Sequence, residues 1–208
     1  MTDFIGGICV GISQTAVGHP FDTVKVLMQN KLPWFGLPGR DYYRGWKFPL
    51  VSSILFNMTV FPMYERTLSY TNNSFISGLL AGVCITPCVY ILDVGKIKLQ
   101  TNQSLSLTYT KGFGATFARE TLAMSTYFGM YDYFRRKQSP IVAGGLAGLL
   151  NWTLTYPIDV IRSRQIAQNI TIKAAIAQRN LWGGYSVCAI RALIVNGISF
   201  TIYEKVRS

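Results

Sequence analysis

Apolar residues dominate six stretches of this chain, roughly 3–28, 46–67, 74–99, 112–135, 140–164 and 184–205, with polar residues gathered between them. A membrane-spanning helix needs about 20 largely apolar residues, and each stretch is long enough. None is an unbroken apolar run. Each carries Gly, Pro or a charged residue, as expected of helices with one face on lipid and the other on protein or an aqueous interior. The pattern predicts an all-α membrane protein and not a closed barrel of short alternating strands.

The interruptions recur at fixed intervals. A Gly-x3-Gly pair is followed eleven residues later by an aspartate and three further on by a base: Gly7, Gly11, Asp22, Lys25; Gly78, Gly82, Asp93, Lys96; Gly144, Gly148, Asp159, Arg162. A second series starts at Gly45, Gly112 and Gly184. Twenty residues after each glycine comes an acid, Glu65, Asp132 or Glu204, preceded by Tyr64, Tyr131 or Tyr203. A base follows three residues later at Arg135 and Arg207, where the first copy has Leu68. Between the two series the gap varies (23, 19 and 25 residues from aspartate to glycine), which marks it as a connection. The chain is therefore predicted as one domain, 1–208, of three tandem two-helix repeats: 1–70, 71–137 and 138–208. Self-similarity of this kind defines a fold before any single motif does.

Glycines four apart share a helix face and let backbones approach closely. Pro20 and Pro157 each remove a helical hydrogen bond and are expected to kink their helices. Inward kinks bring three helix ends together, where Asp22 meets Lys96, Asp93 meets Arg162 and Asp159 meets Lys25. Gln29 and Gln100, each seven residues beyond its aspartate, are positioned to brace this ring. The opposite face repeats the arrangement with Glu65–Arg135 and Asp132–Arg207. A water-accessible pair contributes about 0–1 kcal/mol, so two weak locks at opposite ends suit a device that opens alternately.

Composition agrees with a membrane setting: 50% hydrophobic and 14% charged residues, against about 25% charged in soluble domains, with a mean hydropathy of +0.26. The net charge of +11 comes from bases at helix ends and short loops, among them Arg135, Arg136, Lys137, Arg162, Arg164, Lys205 and Arg207. That placement fits anionic head groups or an anionic solute and gives no nucleic-acid partner. Cys9, Cys84, Cys88 and Cys188 lie in apolar segments as small buried residues, and His19 is structural. No nucleophile–base set, metal cluster or cofactor motif is found, so no catalysis is expected.

The repeats disagree at one level. Thirteen residues before the second-series acids stand Ser52, Arg119 and Arg191, followed by Ser53, Glu120 and Ala192. That is about 20 Å along each helix, near the middle of a hydrocarbon core of about 30 Å. Ionisable groups at that depth point to function. Arg119 beside Glu120 offers a carboxylate binder next to an ammonium binder, Arg191 a second anion site, and Ser52 a hydroxyl. Trp152, two turns from Asp159 on the same side, offers a cation–π face; a packing aromatic is the structural alternative.

Pro20-Phe21-Asp22-Thr23-Val24-Lys25 and Pro157-Ile158-Asp159-Val160-Ile161-Arg162 resemble the signature Pro-x-Asp/Glu-x-x-Lys/Arg of the mitochondrial carrier family, and the resemblance covers the whole chain. The second copy has Ile91 in the proline position, Gly183 replaces the usual base in Trp182-Gly183-Gly184, and the connections are short for the family. The resemblance implies a pseudo-threefold bundle of six transmembrane helices around a central cavity. It further implies solute exchange by alternating access in the inner mitochondrial membrane, with both termini facing the intermembrane space. A functional monomer and anionic lipid, cardiolipin included, complete that picture. In these terms Asp22, Lys25, Asp93, Lys96, Asp159, Arg162, Gln29 and Gln100 form a matrix gate. Glu65, Asp132, Arg135, Glu204, Arg207, Tyr64, Tyr131 and Tyr203 form a cytoplasmic gate. Arg119-Glu120, with Asn151-Trp152, resembles the carnitine/acylcarnitine and ornithine branch, implying a small zwitterionic or cationic metabolite. A nucleotide or deoxynucleotide carrier is the alternative, favoured by the net charge and cavity arginines and opposed by Glu120. A non-transporting adaptor derived from a carrier is the second alternative.

Overall fold

A computed structural model describes residues 2–104, 111–191 and 194; for residues 2–15, 57 and 141 it describes the backbone only. Five long helices carry the chain: α1 Thr2–Gln29, α2 Lys47–Thr71, α3 Ser74–Gln100, α4 Phe113–Arg135 and α5 Pro140–Gln168. A short helix, α6 Ile172–Ala177, follows, and residues 185–191 are helical again. No strand occurs among the described residues. Helices of 23 to 29 residues are about 35–44 Å long, enough to cross a bilayer core of about 30 Å. On composition, α3 is the one described helix that passes as a membrane span, with a mean hydropathy of 2.1 in its most apolar window. The other four have the length, but no stretch of them is as apolar.

The connections alternate between two ends of the bundle. At one end the turns are tight. Asn72 closes α2 in the left-handed conformation (φ 49°), and the Asn73 side chain accepts the N–H groups of Phe75 and Ile76 at 3.0 and 3.2 Å. Asparagine suits both jobs, tolerating positive φ and capping the first turn of a helix. Residues 136–139 make the corresponding turn into α5, which starts on Pro140 where a missing N–H costs nothing. At the other end lie the longer connections 30–46, 101–112 and 169–184. They hold a 3-10 turn, Gly39–Tyr43, and α6.

Three glycines at this loop end share an unusual backbone. Gly45, Gly112 and Gly184 have φ of +79°, +121° and +83°, and each stands one or two residues ahead of the first residue of a helix. A side chain disfavours that region, and there is little room for one. A Cβ would come within 3.4 Å of Lys96 O at Gly45, 2.9 Å of Ile166 Cγ1 at Gly112 and 3.2 Å of Lys25 O at Gly184. Each glycine thus seats the start of one helix on the end of another: α2 on α3, α4 on α5, and 185–191 on α1.

Gly78 and Gly82 bring α3 against the α4 backbone, where a Cβ would stand 2.4 Å from Met124 O and 2.7 Å from Glu120 O. Gly144 and Gly148 have no such neighbour among the described residues, the nearest atoms lying 4.0 Å from Gly144. The main apolar cluster joins α2, α3 and α4 through Val60, Ile85, Ala123, Met124 and Phe128. A second, of Val26, Val94, Ile97 and Ile166, joins α1, α3 and α5 beneath the charged ring. Cys188 is buried as expected, but Cys84 is exposed and Cys88 half-buried, because their face of α3 turns outward.

Candidate functional site

Near the loop end, α1, α3 and α5 present their charged residues to one another. Lys96 Nζ lies 2.9 Å from Asp22 Oδ2, Arg162 Nη1 2.5 Å from Asp93 Oδ2, and Lys25 Nζ 2.8 Å from Asp159 Oδ2. These are the three pairings expected from the spacing, and they run in cyclic order around the bundle. Gln29 Nε2 donates to Asp159 Oδ2 at 2.9 Å, as expected of a brace. Gln100 does not touch a gate carboxylate; its Nε2 donates to Thr23 Oγ1 at 3.0 Å, one residue along from Asp22. Thr23 in turn donates to Tyr42 O at 2.7 Å, so Gln100 ties α3 to α1 and its loop.

The ring is not built from water-exposed pairs. Asp159 and Glu120 are each 1% exposed, and Lys25 and Arg162 each 9%. In that setting desolvation offsets much of the attraction, and removing one partner typically costs about 3–5 kcal/mol because the other charge is stranded. The weak-lock figure of exposed pairs therefore does not apply here. It applies to the pair at the turn end.

The residues expected at mid-membrane depth join the ring instead of standing apart from it. Arg119 pairs with its neighbour Glu120, and its Nε lies 3.8 Å from Asp159 Oδ1. Glu120 Oε1 also faces Arg162 Nη1 at 3.4 Å. Arg162 reaches a third acid as well, Asp159 Oδ1, at 2.8 Å. Arg191 Nε lies 2.7 Å from Asp22 Oδ1. The reach of an arginine side chain closes the step in depth that Cα positions suggest. Two adjoining ion-paired groups result: Asp22 with Lys96 and Arg191, and Asp93, Glu120 and Asp159 with Lys25, Arg119 and Arg162.

Trp152 is not a vacant cation–π face. Lys25 Nζ stands 4.5 Å from its ring centre and the Arg119 guanidinium 5.4 Å. Both cations are already committed to Asp159, so the indole seats the network's own charges.

Above the ring, toward the turn end, lies a cavity of about 320 Å³ between α1, α2, α3 and the last helical segment. Ser52, Ser53 and Phe56 of α2 form one wall; Asp22, Asp93, Lys96 and Arg191 form the charged floor. Carboxylates and cations therefore face the same space.

At the turn end the expected Glu65–Arg135 pair is not formed. Among the described residues neither Glu65 nor Arg135 makes an ion pair, and both are exposed. Asp132 pairs within its own helix, with Arg136 Nη2 at 3.2 Å, both side chains well exposed. Tyr64 stacks on Phe128, ring centres 3.9 Å apart, and Tyr131 on Tyr127 at 6.4 Å. Tyr203, Glu204 and Arg207 lie outside the described residues.

Arg164, unremarkable in sequence beyond its helix-end position, is the largest fully buried side chain. It holds four main-chain carbonyls and no carboxylate: Gln29 O at 2.8 Å, Ala175 O at 2.9 Å, Arg179 O at 2.8 Å and Asn180 O at 3.0 Å. Helix C-termini concentrate negative partial charge, and Arg164 gathers those of α1 and α6 at once. Beside it Asn30 donates to Ser163 Oγ at 2.9 Å and Gln103 to Ala167 O at 2.5 Å, forming an uncharged second layer beneath the ring. A basic residue two beyond Arg162 was the only signal for it in sequence.

A helical bundle closed at one end by a buried ion-pair ring, with a cavity of mixed charge above it, is the architecture of a membrane solute carrier. A family model described as mitochondrial carrier protein matches residues 138–208. The mouse protein named solute carrier family 25 member 45 is 25% identical over 278 aligned positions, covering 97% of this chain and 96% of that protein. The mitochondrial basic amino acids transporter of Bos taurus is 28% identical over 221 positions, covering 81% of this chain and 74% of that protein. The mitochondrial arginine transporter BAC2 of Arabidopsis thaliana is 26% identical over 263, covering 97% and 89%. Along nearly its whole length the chain thus resembles members of the mitochondrial carrier family, whose model matches its final third. The relatives carry the names of transporters and solute carriers. The 278 aligned positions exceed the 208 residues of the chain by 70, so at least that many face gaps on this side.

Proposed function

We propose that this carrier exchanges a small basic or zwitterionic metabolite, foremost a basic amino acid, by alternating access through a bundle of six membrane helices in three repeats. The observation that carries the proposal is the cavity floor, where Asp22 and Asp93 stand beside Lys96 and Arg191, with the Arg119–Glu120 pair adjoining through Arg162. A solute with both a carboxylate and a cation matches each charge it displaces: its carboxylate on Arg191 or Arg119, its cation on Glu120 or an aspartate. A solute of one sign leaves the opposite member stranded, at the cost given above. Carnitine meets the same requirement, but its quaternary head donates no hydrogen bond to these carboxylates. The names of the Bos taurus and Arabidopsis relatives favour basic amino acids too. Acids at the cavity floor oppose nucleotide phosphates.

The threefold arrangement is supported by two independent cyclic series. The ion pairs run from repeat 1–70 to 71–137, from there to 138–208, and back to the first. Gly45, Gly112 and Gly184 rest on the next repeat in the same order. In this scheme Asp22, Asp93 and Asp159 with their partners are a closed matrix gate, braced by Gln29. Glu65, Asp132 and Arg135, with Tyr64 and Tyr131, belong to a cytoplasmic gate that stands open. The network's spare positive charge attracts the solute carboxylate. Once both solute charges are seated, Arg162 is released from Glu120 and the ring has less to hold it.

The test is reconstitution in liposomes and exchange of labelled arginine, lysine and ornithine, with carnitine and ADP in parallel. Exchange of a basic amino acid against an internal pool of the same class supports the proposal. Exchange of ADP alone replaces it with a nucleotide carrier. Verified folded protein that exchanges nothing replaces it with an adaptor, a reading to which the shortened connections lend some weight.

A further inference from the structure

The connection between α1 and α2 is more than a link. Residues 32–38 are non-helical, as Pro33 and Pro38 require, because proline removes the N–H a helix uses and clashes with the preceding turn. Between these prolines the chain turns its most apolar side chains outward. Phe35 is 85% exposed and Trp34 41%, their rings edge to face at 5.9 Å. Tyr43 and Trp46, later in the same connection, are each 45% exposed. An exposed phenylalanine beside an exposed tryptophan on an ordered loop has no explanation in an aqueous setting.

The tip is held in place. Tyr42 Oη donates to Trp34 O at 3.0 Å. The inner face of Trp34 closes an apolar cavity of about 370 Å³ against Phe21 and Val24 of α1 and Val187 and Ile190. Of these neighbours Ile190 is itself 49% exposed, and α2 also turns Val51, Ile54, Met58 and Phe61 outward. Around the tip the charges have one sign: Lys31, Arg40, Arg44 and Lys47 against the single acid Asp41, which is itself paired with Arg44 at 3.1 Å.

We infer that Trp34 and Phe35 form an interfacial anchor, inserted at the head-group level of the leaflet on the loop side, with the surrounding bases on anionic lipid. Tryptophan sits at membrane interfaces because its ring is apolar and its N–H is not, and basic segments beside the bilayer are drawn to anionic head groups. The occupant is the bilayer because the tip lies against apolar residues of the helices, the outward-facing Ile190 among them, and its charge complements an anionic leaflet. The anchor fixes the end of α1, and with it Gln29, relative to the membrane. It depends on the chain's place in the membrane but not on which solute is carried, so it fails or stands independently of the exchange proposal.

The test is tryptophan fluorescence in proteoliposomes containing anionic phosphatidylglycerol and brominated phosphatidylcholine. Subtracting Trp34→Phe from the unaltered protein isolates the Trp34 signal among the four tryptophans, and Phe35→Trp adds a reporter at the tip should the first variant fold poorly. The expected result is strong quenching by bromine near the glycerol end of the acyl chain, weaker quenching by bromine near its terminus, and protection from aqueous iodide. Iodide quenching as efficient as for free N-acetyl-tryptophanamide, without bromolipid quenching, overturns the anchor. Protection from both quenchers also overturns it, since protein would then cover the tip.

Discussion

Arg162 Nη1 contacts two carboxylates that the repeat pattern treats separately, Asp93 at 2.5 Å and Glu120 at 3.4 Å. Asp93 recurs in every repeat; Glu120 has no counterpart. Through this one guanidinium the symmetric ring and the asymmetric site share a charge, so a solute cation that occupies Glu120 changes what holds Arg162.

Glu120→Gln is therefore expected to act on both functions. The amide keeps the shape but leaves Arg119 and Arg162 sharing fewer negative charges. Exchange of a basic amino acid should fall by at least about tenfold, an effect of about 1.4 kcal/mol on the barrier, while a solute with no cationic group loses less. Initial exchange rates with both kinds of solute check this.

Gln29→Ala removes a hydrogen bond to a buried carboxylate, a contact to a charged group typically contributing about 1.5–3 kcal/mol. The closed loop end should loosen, lowering the unfolding midpoint by several degrees. Thermal unfolding in detergent reads the shift. The same substitution at Gln100 should leave the ring's ion pairs in place, because Gln100 binds Thr23 and not a ring carboxylate.

Arg164→Lys keeps the charge but loses the fork that reaches four carbonyls. A single ammonium cannot span Gln29 O and Asn180 O together, and each carbonyl left unsatisfied costs about 1–3 kcal/mol. The variant should be among the least stable single substitutions in the chain. Limited proteolysis of the connection around α6 should then speed up relative to unaltered protein.

Two glycines should respond in opposite ways to alanine. At Gly82 the new Cβ would meet main-chain atoms of Glu120 and Thr121 at 2.7 and 2.8 Å, and overpacking of that kind costs about 1–3 kcal/mol. It also pushes Glu120 itself. At Gly145 no atom of the described residues lies within 4 Å, and alanine in a helix is favoured over glycine by up to about 1 kcal/mol. Thermal unfolding of the pair separates the two cases.

Much of this was legible in sequence, for a definite reason. Pairing around the ring depends on backbone spacing, which recurs, so Asp22–Lys96, Asp93–Arg162 and Asp159–Lys25 follow from counting residues. Gly45, Gly112 and Gly184 were visible as a series, although not as positive-φ seats. What spacing does not carry is side-chain reach. Arg119 and Arg191 extend far enough to join a ring that their Cα positions place at another depth, and Trp152 is occupied by Lys25 from a different helix. Gln100 was misplaced because its match to Gln29 is one of position, whereas Thr23 offers it a nearer acceptor. Arg164 binds carbonyls, which no residue type announces.

The central claim is that ring and solute site share their charged residues and are tuned to a solute bearing both charges. It is tested most directly by uptake of labelled arginine into liposomes loaded with unlabelled arginine, comparing the unaltered protein with Glu120→Gln at matched folded fraction. The account predicts uptake that requires the internal pool and is largely lost in the variant. Uptake unchanged in Glu120→Gln, or ADP exchange in place of arginine exchange, would contradict it.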